Sequence, residues 1–182
     1  MNNTLKERVF IVARKTQEFA LYATVFFIPI SIALVELFVS VALVAFIVKK
    51  IITPDFTFIK TRIHFFVLLF YIFCGFSLLN SGHHIHTSIH ALFLKWGQYI
   101  LIFLMVQDAL ISDKHLRIAV KILLFGGCLV AIDGIFQYFC GWEFLRERKI
   151  MLMGDSIKAI TGPFPHYNGF AAYLICPICL NA

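Results

Sequence analysis

The sequence predicts an all-α membrane protein, a polytopic transmembrane helical bundle with about five complete spans and a truncated sixth. Its 182 residues are 60% hydrophobic and 16% aromatic, and 21 of them are Phe. Charged residues make up only 14%, whereas ordinary globular domains carry about 25%. Long apolar runs alternate with polar segments that hold most Lys and Arg, as in proteins oriented in a bilayer. The net charge of +6 therefore does not indicate a nucleic-acid partner.

The first apolar run extends from Phe19 to Val48 and contains one charged residue, Glu36. As one helix it would be about 45 Å long, whereas the hydrocarbon core is about 30 Å thick. The alternatives are one strongly tilted helix and a hairpin of two short helices broken near Pro29 and Ser31. Equal numbers of basic residues flank the run, and a hairpin places both groups in the cytoplasm, as the positive-inside rule prefers. The hairpin is therefore favoured.

Three more spans are predicted, over residues 63–79, 89–106 and 118–140, and a short apolar run follows over 169–182. With a cytoplasmic N-terminus, the inside segments hold ten Lys or Arg, and the outside segments hold four, all in loop 141–167. The last run would rise only about 21 Å as a helix. We therefore expect residues 1–182 to be a single transmembrane domain, the N-terminal fragment of a longer membrane protein.

The outer polar loop 141–167 is the main candidate for binding chemistry. Its basic residues and its histidine are Arg146, Arg148, Lys149, Lys158 and His166. A guanidinium group binds phosphate oxygens in pairs, so the arginines suit a diphosphate at the membrane surface. A solvated loop in which neighbouring glutamates pair with the basic residues is an equally good interpretation.

The segment after the loop is predicted to be irregular and to lead into a helix. Pro163 and Pro165 impose extended backbone on the residues before them, and Asn168 is a natural N-cap. A helix that starts at the membrane surface presents free N–H groups that favour an anion. The alternative is a proline-rich lead into a helix with no ligand.

Two ionisable residues, Lys95 and Asp133, fall inside predicted spans. Such residues are costly in lipid, so they usually face the interior of the bundle, where they pair or take part in function. Both are placed on the outward halves of neighbouring spans. A structural salt bridge between them is favoured over a catalytic role, and Lys95 could also extend its ammonium group toward the outer surface.

Cysteine and histidine do not predict a metal site or a disulfide. The five Cys lie in or beside apolar segments, where they act as small hydrophobic residues. Cys176 and Cys179 have the spacing of a redox motif but lack its βαβ context. A histidine cluster in the turn before residue 91 is interpreted as solvated, because neighbouring histidines only sometimes converge on a metal.

Two motifs frame the outer loop. The first is Gln137-Tyr138 with Gly141, and the second is Thr161-Gly162-Pro163-Phe164 with Asn168 before an apolar helix. Together they resemble the bacterial O-antigen ligase and O-antigen polymerase superfamily. Members typically show an Arg three positions before the Gly of the second motif. That position is Ala159 here, and Lys158 lies beside it.

The resemblance implies a multi-pass protein of the bacterial inner membrane that transfers or polymerises a glycan carried on a polyprenyl diphosphate. The acceptor would be a lipid A-core sugar, a protein or another glycan, and no metal cofactor is implied. Relatives carry more helices and a large periplasmic loop with essential basic residues later in the chain, so residues 1–182 alone are expected to be inactive. The alternative is a non-enzymatic polytopic protein, such as a transporter component for lipid-linked sugars.

Overall fold

The protein is described by a computed structural model over residues 3–56, 62–78, 82, 85–110, 112–144, 151–153 and 157–181. The helices are α1 (Asn3–Phe27), α2 (Ile32–Ile52), α3 (Arg62–Ser77), α4 (Ile85–His90), α5 (Gly97–Ala109), α6 (Asp113–Cys140) and α7 (Tyr167–Asn181). A π-helical segment, Ala91–Trp96, joins α4 to α5 in one continuous helix. Strands β1 (Met151–Met153) and β2 (Ile157–Ala159) form a small antiparallel pair. The helical class is confirmed.

Within the described ranges, three helices are long and apolar enough to cross a membrane. They are Ile32–Ile52, Ile85–Ala109 and Asp113–Cys140. Large apolar side chains are exposed on each, including Val44 (61%), Phe93 (63%) and Ile132 (63%). Apolar surface on this scale is unusual for a soluble monomer. These helices fit a membrane-embedded protein, as the composition predicted.

The described residues contain three candidate spans, fewer than the about five complete spans that the sequence predicts. The first predicted arm forms the last part of α1, and Arg14, Lys15 and Glu18 precede it in the same helix. The predicted span at 63–79 forms α3, which has only 16 residues. A helix of that length rises about 24 Å, short of a hydrocarbon core of about 30 Å. Among the described residues, α1 thus differs from the three candidate spans by its charges, and α3 differs from them by its length.

The first apolar run forms two helices and not one tilted helix. Helix α1 ends at Phe27, and Pro29 lies in the turn that follows. The Ser31 N–H donates to the Phe27 carbonyl at 3.0 Å, and the Leu34 N–H donates to Ser31 Oγ at 3.5 Å. Ser31 thus caps α2. Both helices are longer than the predicted arms because helical structure continues into the basic flanking segments.

The chain divides into two compact units, Met1–Phe19 with Val39–Ile111 and Ala20–Phe38 with Ser112–Ala182. In the first unit, the buried apolar residues include Ala13, Ala42 and Met105. The second unit contains α6, α7 and both motifs of the sequence analysis.

In the second unit, α7 packs against a glycine-containing face of α6. A Cβ atom added at Gly127 would lie 2.7 Å from Pro177 Cγ, and one at Gly134 would lie 2.5 Å from Phe170 Cζ. Real Cβ contacts are longer, so a larger residue at either position would require Pro177 or Phe170 to move. Small residues let helices approach closely in membranes, and here they hold the start of α7 against the last turns of α6.

Candidate functional site at the end of α6

The first motif ends helix α6. Gly141 adopts the left-handed conformation with φ 78°, and its N–H donates to the Gln137 carbonyl at 2.9 Å. Glycine is favoured at this position because it has no Cβ to clash there. Gln137 lies in the last turn of the helix with its side chain completely buried. The motif thus places an amide group inside the second unit.

The Gln137 side chain binds the second motif through three hydrogen bonds, an arrangement we call the Gln137 clasp. Its Oε1 accepts the N–H of Thr161 at 2.9 Å and the N–H of Gly162 at 3.0 Å. Its Nε2 donates to Thr161 Oγ1 at 3.2 Å. All three residues are buried, where an unpaired polar group would be costly. One side chain therefore satisfies two backbone donors that would otherwise be buried without partners.

Gly162 fits the clasp for both conformational and steric reasons. Its φ is +50°, in the left-handed region that most side chains avoid. A Cβ there would also lie 2.6 Å from Phe170 Cδ2 and 3.8 Å from Asp133 Oδ2. Gly162 thus allows the second motif to lie directly against an acidic side chain of α6.

Asp133 lies one helical turn before Gln137 and is 6% exposed. Its Oδ1 accepts the Phe144 N–H at 3.0 Å. Its Oδ2 is buried and has no hydrogen-bond partner among the described residues. A buried carboxylate oxygen without a partner carries a large desolvation cost, so Asp133 is a candidate binding residue.

A cavity of about 420 Å³ lies beside Asp133 within the second unit. Its wall includes Phe26 and Pro29 from the first part of the unit, and Leu129 and Phe136 from α6. Asp133 supplies the charge in this otherwise apolar lining. A mostly apolar cavity of this size with one polar group is typical of small-molecule sites.

Three of the sequence-predicted basic residues, Arg146, Arg148 and Lys149, lie outside the described residues. Lys158 belongs to β2, where its backbone is opposite Leu152 of β1. The side chain of Lys158 lies outside the described part of the chain. The structure thus gives the fold on either side of the basic cluster but not its contacts.

The expected N-cap at Asn168 is wrong by two positions. Helix α7 begins at Tyr167, and the His166 carbonyl accepts the N–H groups of Gly169 at 3.0 Å and Phe170 at 3.3 Å. His166 takes the capping position because the restriction from Pro165 acts on the residue before it and leaves His166 free to turn into the helix. Both His166 and Asn168 are exposed at the start of α7.

Lys95 is exposed on the continuous helix Ile85–Ala109, whereas Asp133 is buried. The two residues belong to different units, so their pairing stays a prediction. A long lysine stem can lie along apolar surface while its ammonium group reaches a polar region. Exposure of Lys95 is compatible with that behaviour.

The first unit contains a buried ionic network that is not predicted from the sequence. Asp108 Oδ1 accepts from Lys50 Nζ at 2.7 Å, and Asp108 Oδ2 pairs with Lys49. Gln17 Nε2 donates to Asp108 Oδ2 at 3.3 Å and to the Met105 carbonyl at 3.1 Å. From the sequence, Lys49 and Lys50 are interpreted only as part of the basic segment that flanks the first apolar run on the cytoplasmic side. The sequence does contain an indication of this network, because the acidic residue Asp108 follows the apolar run that becomes α5.

The described part of the chain contains no cluster of three His, Cys, Asp or Glu able to hold a metal ion. Comparison with family models, with curated proteins and with solved structures gave no match to this chain. The Gln137 clasp, the neighbouring cavity and the loop between the two motifs are the features of the chain that bear on its function.

Proposed function

We propose that this protein acts in the bacterial inner membrane to transfer or polymerise a glycan carried on a polyprenyl diphosphate. Its N-terminus is cytoplasmic and loop 141–167 faces outward in this proposal. The observation that carries it is the Gln137 clasp. The two motifs on which the family resemblance rests are 24 residues apart from Gln137 to Thr161, yet they meet through one buried side chain. Their joint presence thus has a structural reason.

The clasp would serve the reaction by fixing both ends of the loop. It anchors the end of α6 and the segment that leads into α7, and the four basic residues lie between these anchors in sequence. Arginine forks at Arg146 and Arg148 would bind diphosphate oxygens in pairs, with Lys149 and Lys158 adding charge. The exposed start of α7, with His166 and Asn168, offers N–H groups and a positive dipole end to the same anion.

A non-enzymatic function in the transport of lipid-linked sugars is the second candidate. It is favoured by Asp133, a buried ionisable residue beside a cavity inside an apolar helix, since such residues mark ligand pathways in membrane proteins. The two candidates differ in where the lipid-linked glycan accumulates when the protein fails. A failed transferase leaves the donor on the outer face, and a failed transporter leaves it on the inner face.

The test uses a host strain that lacks the gene and carries wild-type or variant copies at matched membrane levels. Mass spectrometry measures acceptor-linked glycan, and the accessibility of the donor to an external glycosidase reports its membrane face. We expect Gln137→Ala to lower the product and to raise outward-facing donor, while Gln107→Ala, a glutamine outside the clasp, behaves as wild type. A deletion strain with unchanged product and donor would refute both functions, and inward-facing donor would favour transport.

A further inference from the structure

A groove in the first unit lies between α3 and the continuous helix Ile85–Ala109. Its volume is about 810 Å³. Its lining includes Arg62, Leu68 and Tyr71 on α3, and Gly97, Leu101 and Leu104 on α5. We call it the α3–α5 groove. Leu68 is 57% exposed and Leu101 is 40% exposed, so the groove is open on the apolar surface of the helices.

Two contacts fix the direction of the α3–α5 groove. The rings of His64 and Phe103 lie 5.5 Å apart, close in sequence to Arg62 at the start of α3. Farther along α3, the Tyr71 hydroxyl donates to the Leu92 carbonyl at 3.3 Å. The groove therefore has a charged end at Arg62 and an inner end where the tyrosine hydroxyl is already hydrogen-bonded.

Arg62 gives the α3–α5 groove its fixed positive charge. The residue is exposed, and the ion pairs found among the described residues do not include it. The described lining residues include no Asp or Glu, so this end is complementary to an anion. Residues 49–62 are predicted to be cytoplasmic because they carry four Lys or Arg. We therefore expect the charged end at the cytoplasmic surface of the membrane, opposite the outer loop.

The length of the α3–α5 groove matches one lipid chain. Helix α3 rises about 14 Å between Arg62 and Tyr71. One leaflet contributes half of a hydrocarbon core that is about 30 Å thick. An acyl chain in the groove would thus end near Tyr71 when its headgroup lies beside Arg62. Basic pockets between helices on the cytoplasmic side are a known binding mode for anionic lipid headgroups.

We propose that the α3–α5 groove binds an anionic glycerophospholipid of the cytoplasmic leaflet. Its phosphodiester would pair with Arg62, and one acyl chain would lie along Leu68 and Leu101 toward Tyr71. A zwitterionic phospholipid with the same chains would fill the same space, but its ammonium group would offset the attraction to Arg62. This inference does not depend on the proposed glycan transfer, for which the basic residues lie in the outer loop.

The binding experiment is native mass spectrometry of the purified chain in detergent, with dioleoyl-phosphatidylglycerol and dioleoyl-phosphatidylethanolamine as probes. We expect the first phosphatidylglycerol to bind about fivefold more tightly than phosphatidylethanolamine. Arg62→Gln should remove most of this preference and leave phosphatidylethanolamine binding unchanged. Arg117→Gln is the matched control, because Arg117 is also exposed and belongs to a segment predicted to be cytoplasmic. It should keep the preference.

A second pair of variants tests the position of the acyl chain. Gly97→Leu adds a side chain in the groove and should weaken both probes. A Cβ atom at Gly97 would lie 3.9 Å from the Tyr71 hydroxyl, which is an ordinary contact, so α5 can accept it. Gly75→Leu should weaken neither probe, because nothing lies within 4 Å of a Cβ at that position. Circular dichroism checks that each variant is folded.

Several outcomes would overturn the proposal. They are equal affinity of the wild type for the two lipids, equal losses in Arg62→Gln and Arg117→Gln, and undiminished binding by folded Gly97→Leu. If Gly97→Leu does not fold, Arg62→Gln decides, since Arg62 is exposed. A dimer that excludes lipid would assign the groove to a second copy of the chain. Tighter binding of a polyprenyl monophosphate than of phosphatidylglycerol would assign it to an isoprenoid lipid, and either result would also overturn the proposal.

Discussion

Gln137 holds Thr161 through both ends of its side-chain amide. Its oxygen accepts the Thr161 N–H at 2.9 Å, and its nitrogen donates to Thr161 Oγ1 at 3.2 Å. The side-chain amide carries an acceptor and a donor on one planar group, and Asn has the same group on a shorter side chain. These hydrogen bonds join the two sequence motifs in one structural unit, and their contribution to stability can be measured.

Gln137→Ala should destabilise the second unit. The substitution leaves the N–H groups of Thr161 and Gly162 buried without an acceptor, and each such group costs about 1–3 kcal/mol. Thermal unfolding in detergent, followed by circular dichroism, measures the effect against Gln107→Ala. An unchanged midpoint for Gln137→Ala would show that water or another group satisfies the two donors.

Gly162→Ala should be more damaging than an ordinary helix substitution. The positive φ strains any residue with a Cβ, at about 1–3 kcal/mol, and the new methyl group would clash with Phe170. Adding Phe170→Ala to Gly162→Ala should recover the loss of stability that comes from the clash. The loss that comes from the positive φ should remain. Gly75→Ala is the matched control, because nothing lies within 4 Å of a Cβ at that position and alanine favours the helix.

Two results of this experiment would contradict the prediction. If Gly162→Ala is no worse than Gly75→Ala in thermal unfolding, the left-handed backbone at Gly162 is not required. If the double variant with Phe170→Ala gains nothing over Gly162→Ala, the clash is not the cause of the damage.

Asp108 should matter more to stability than either of its lysine partners. Asp108→Asn removes the carboxylate that pairs with buried Lys49 and half-buried Lys50, and breaking a buried ion pair costs about 3–5 kcal/mol. Lys50→Met leaves Asp108 paired with Lys49, so its cost should be smaller. Lys121→Met, at an exposed position on α6, is the control. Denaturation of the three variants ranks their free energies of unfolding. Equal losses for Asp108→Asn and Lys50→Met would contradict the prediction.

The sequence predicted the class of the fold because apolar composition is a property of whole segments. It overestimated the spans because hydropathy alone does not show where a helix ends. Helix α1 takes in Arg14 and Lys15 as helical residues, and α3 ends at Ser77. The sequence identifies the motif residues but not their contacts, because the hydrogen bonds between Gln137 and Thr161 leave no local sequence pattern. The role of Asp133 required the fold, because Phe144 and the cavity wall come from separate segments.

The topology gives a separate prediction. Residues 1–18 and 49–62 each carry four Lys or Arg, and basic segments resist translocation, so both should be cytoplasmic. Reporter fusions after Lys50 and after Gly154 should give cytoplasmic and periplasmic signals respectively. A periplasmic signal after Lys50 would reverse the orientation of every later segment and would remove the outer loop from the side where a lipid-linked donor is used.

Substitutions in the basic loop test the assignment of the diphosphate. Arg146→Ala or Arg148→Ala should each remove a charge-assisted hydrogen bond, at about 1.5–3 kcal/mol, which corresponds to about a tenfold to hundredfold loss in donor affinity. Lysine at either position should restore only part of it, because an ammonium group lacks the bidentate fork. The effect of Lys158→Ala should be the smallest, since that residue is offset by one position from the arginine of the family pattern.

The measurement is donor turnover in membranes that hold the variants at equal levels, with Lys114→Ala on the predicted cytoplasmic side as the control for a lost positive charge. A true diphosphate contact raises the donor concentration required for half-maximal turnover in the arginine variants and leaves the control unchanged. If the loop is solvated, its charges contact water and neighbouring glutamates. The arginine variants should then require the same donor concentration as the wild type. Alanine can be substituted at Arg146, Arg148, Lys149 and Lys158 together. Unchanged turnover in that variant would show that the loop is a solvated connector, and the diphosphate would have to bind elsewhere.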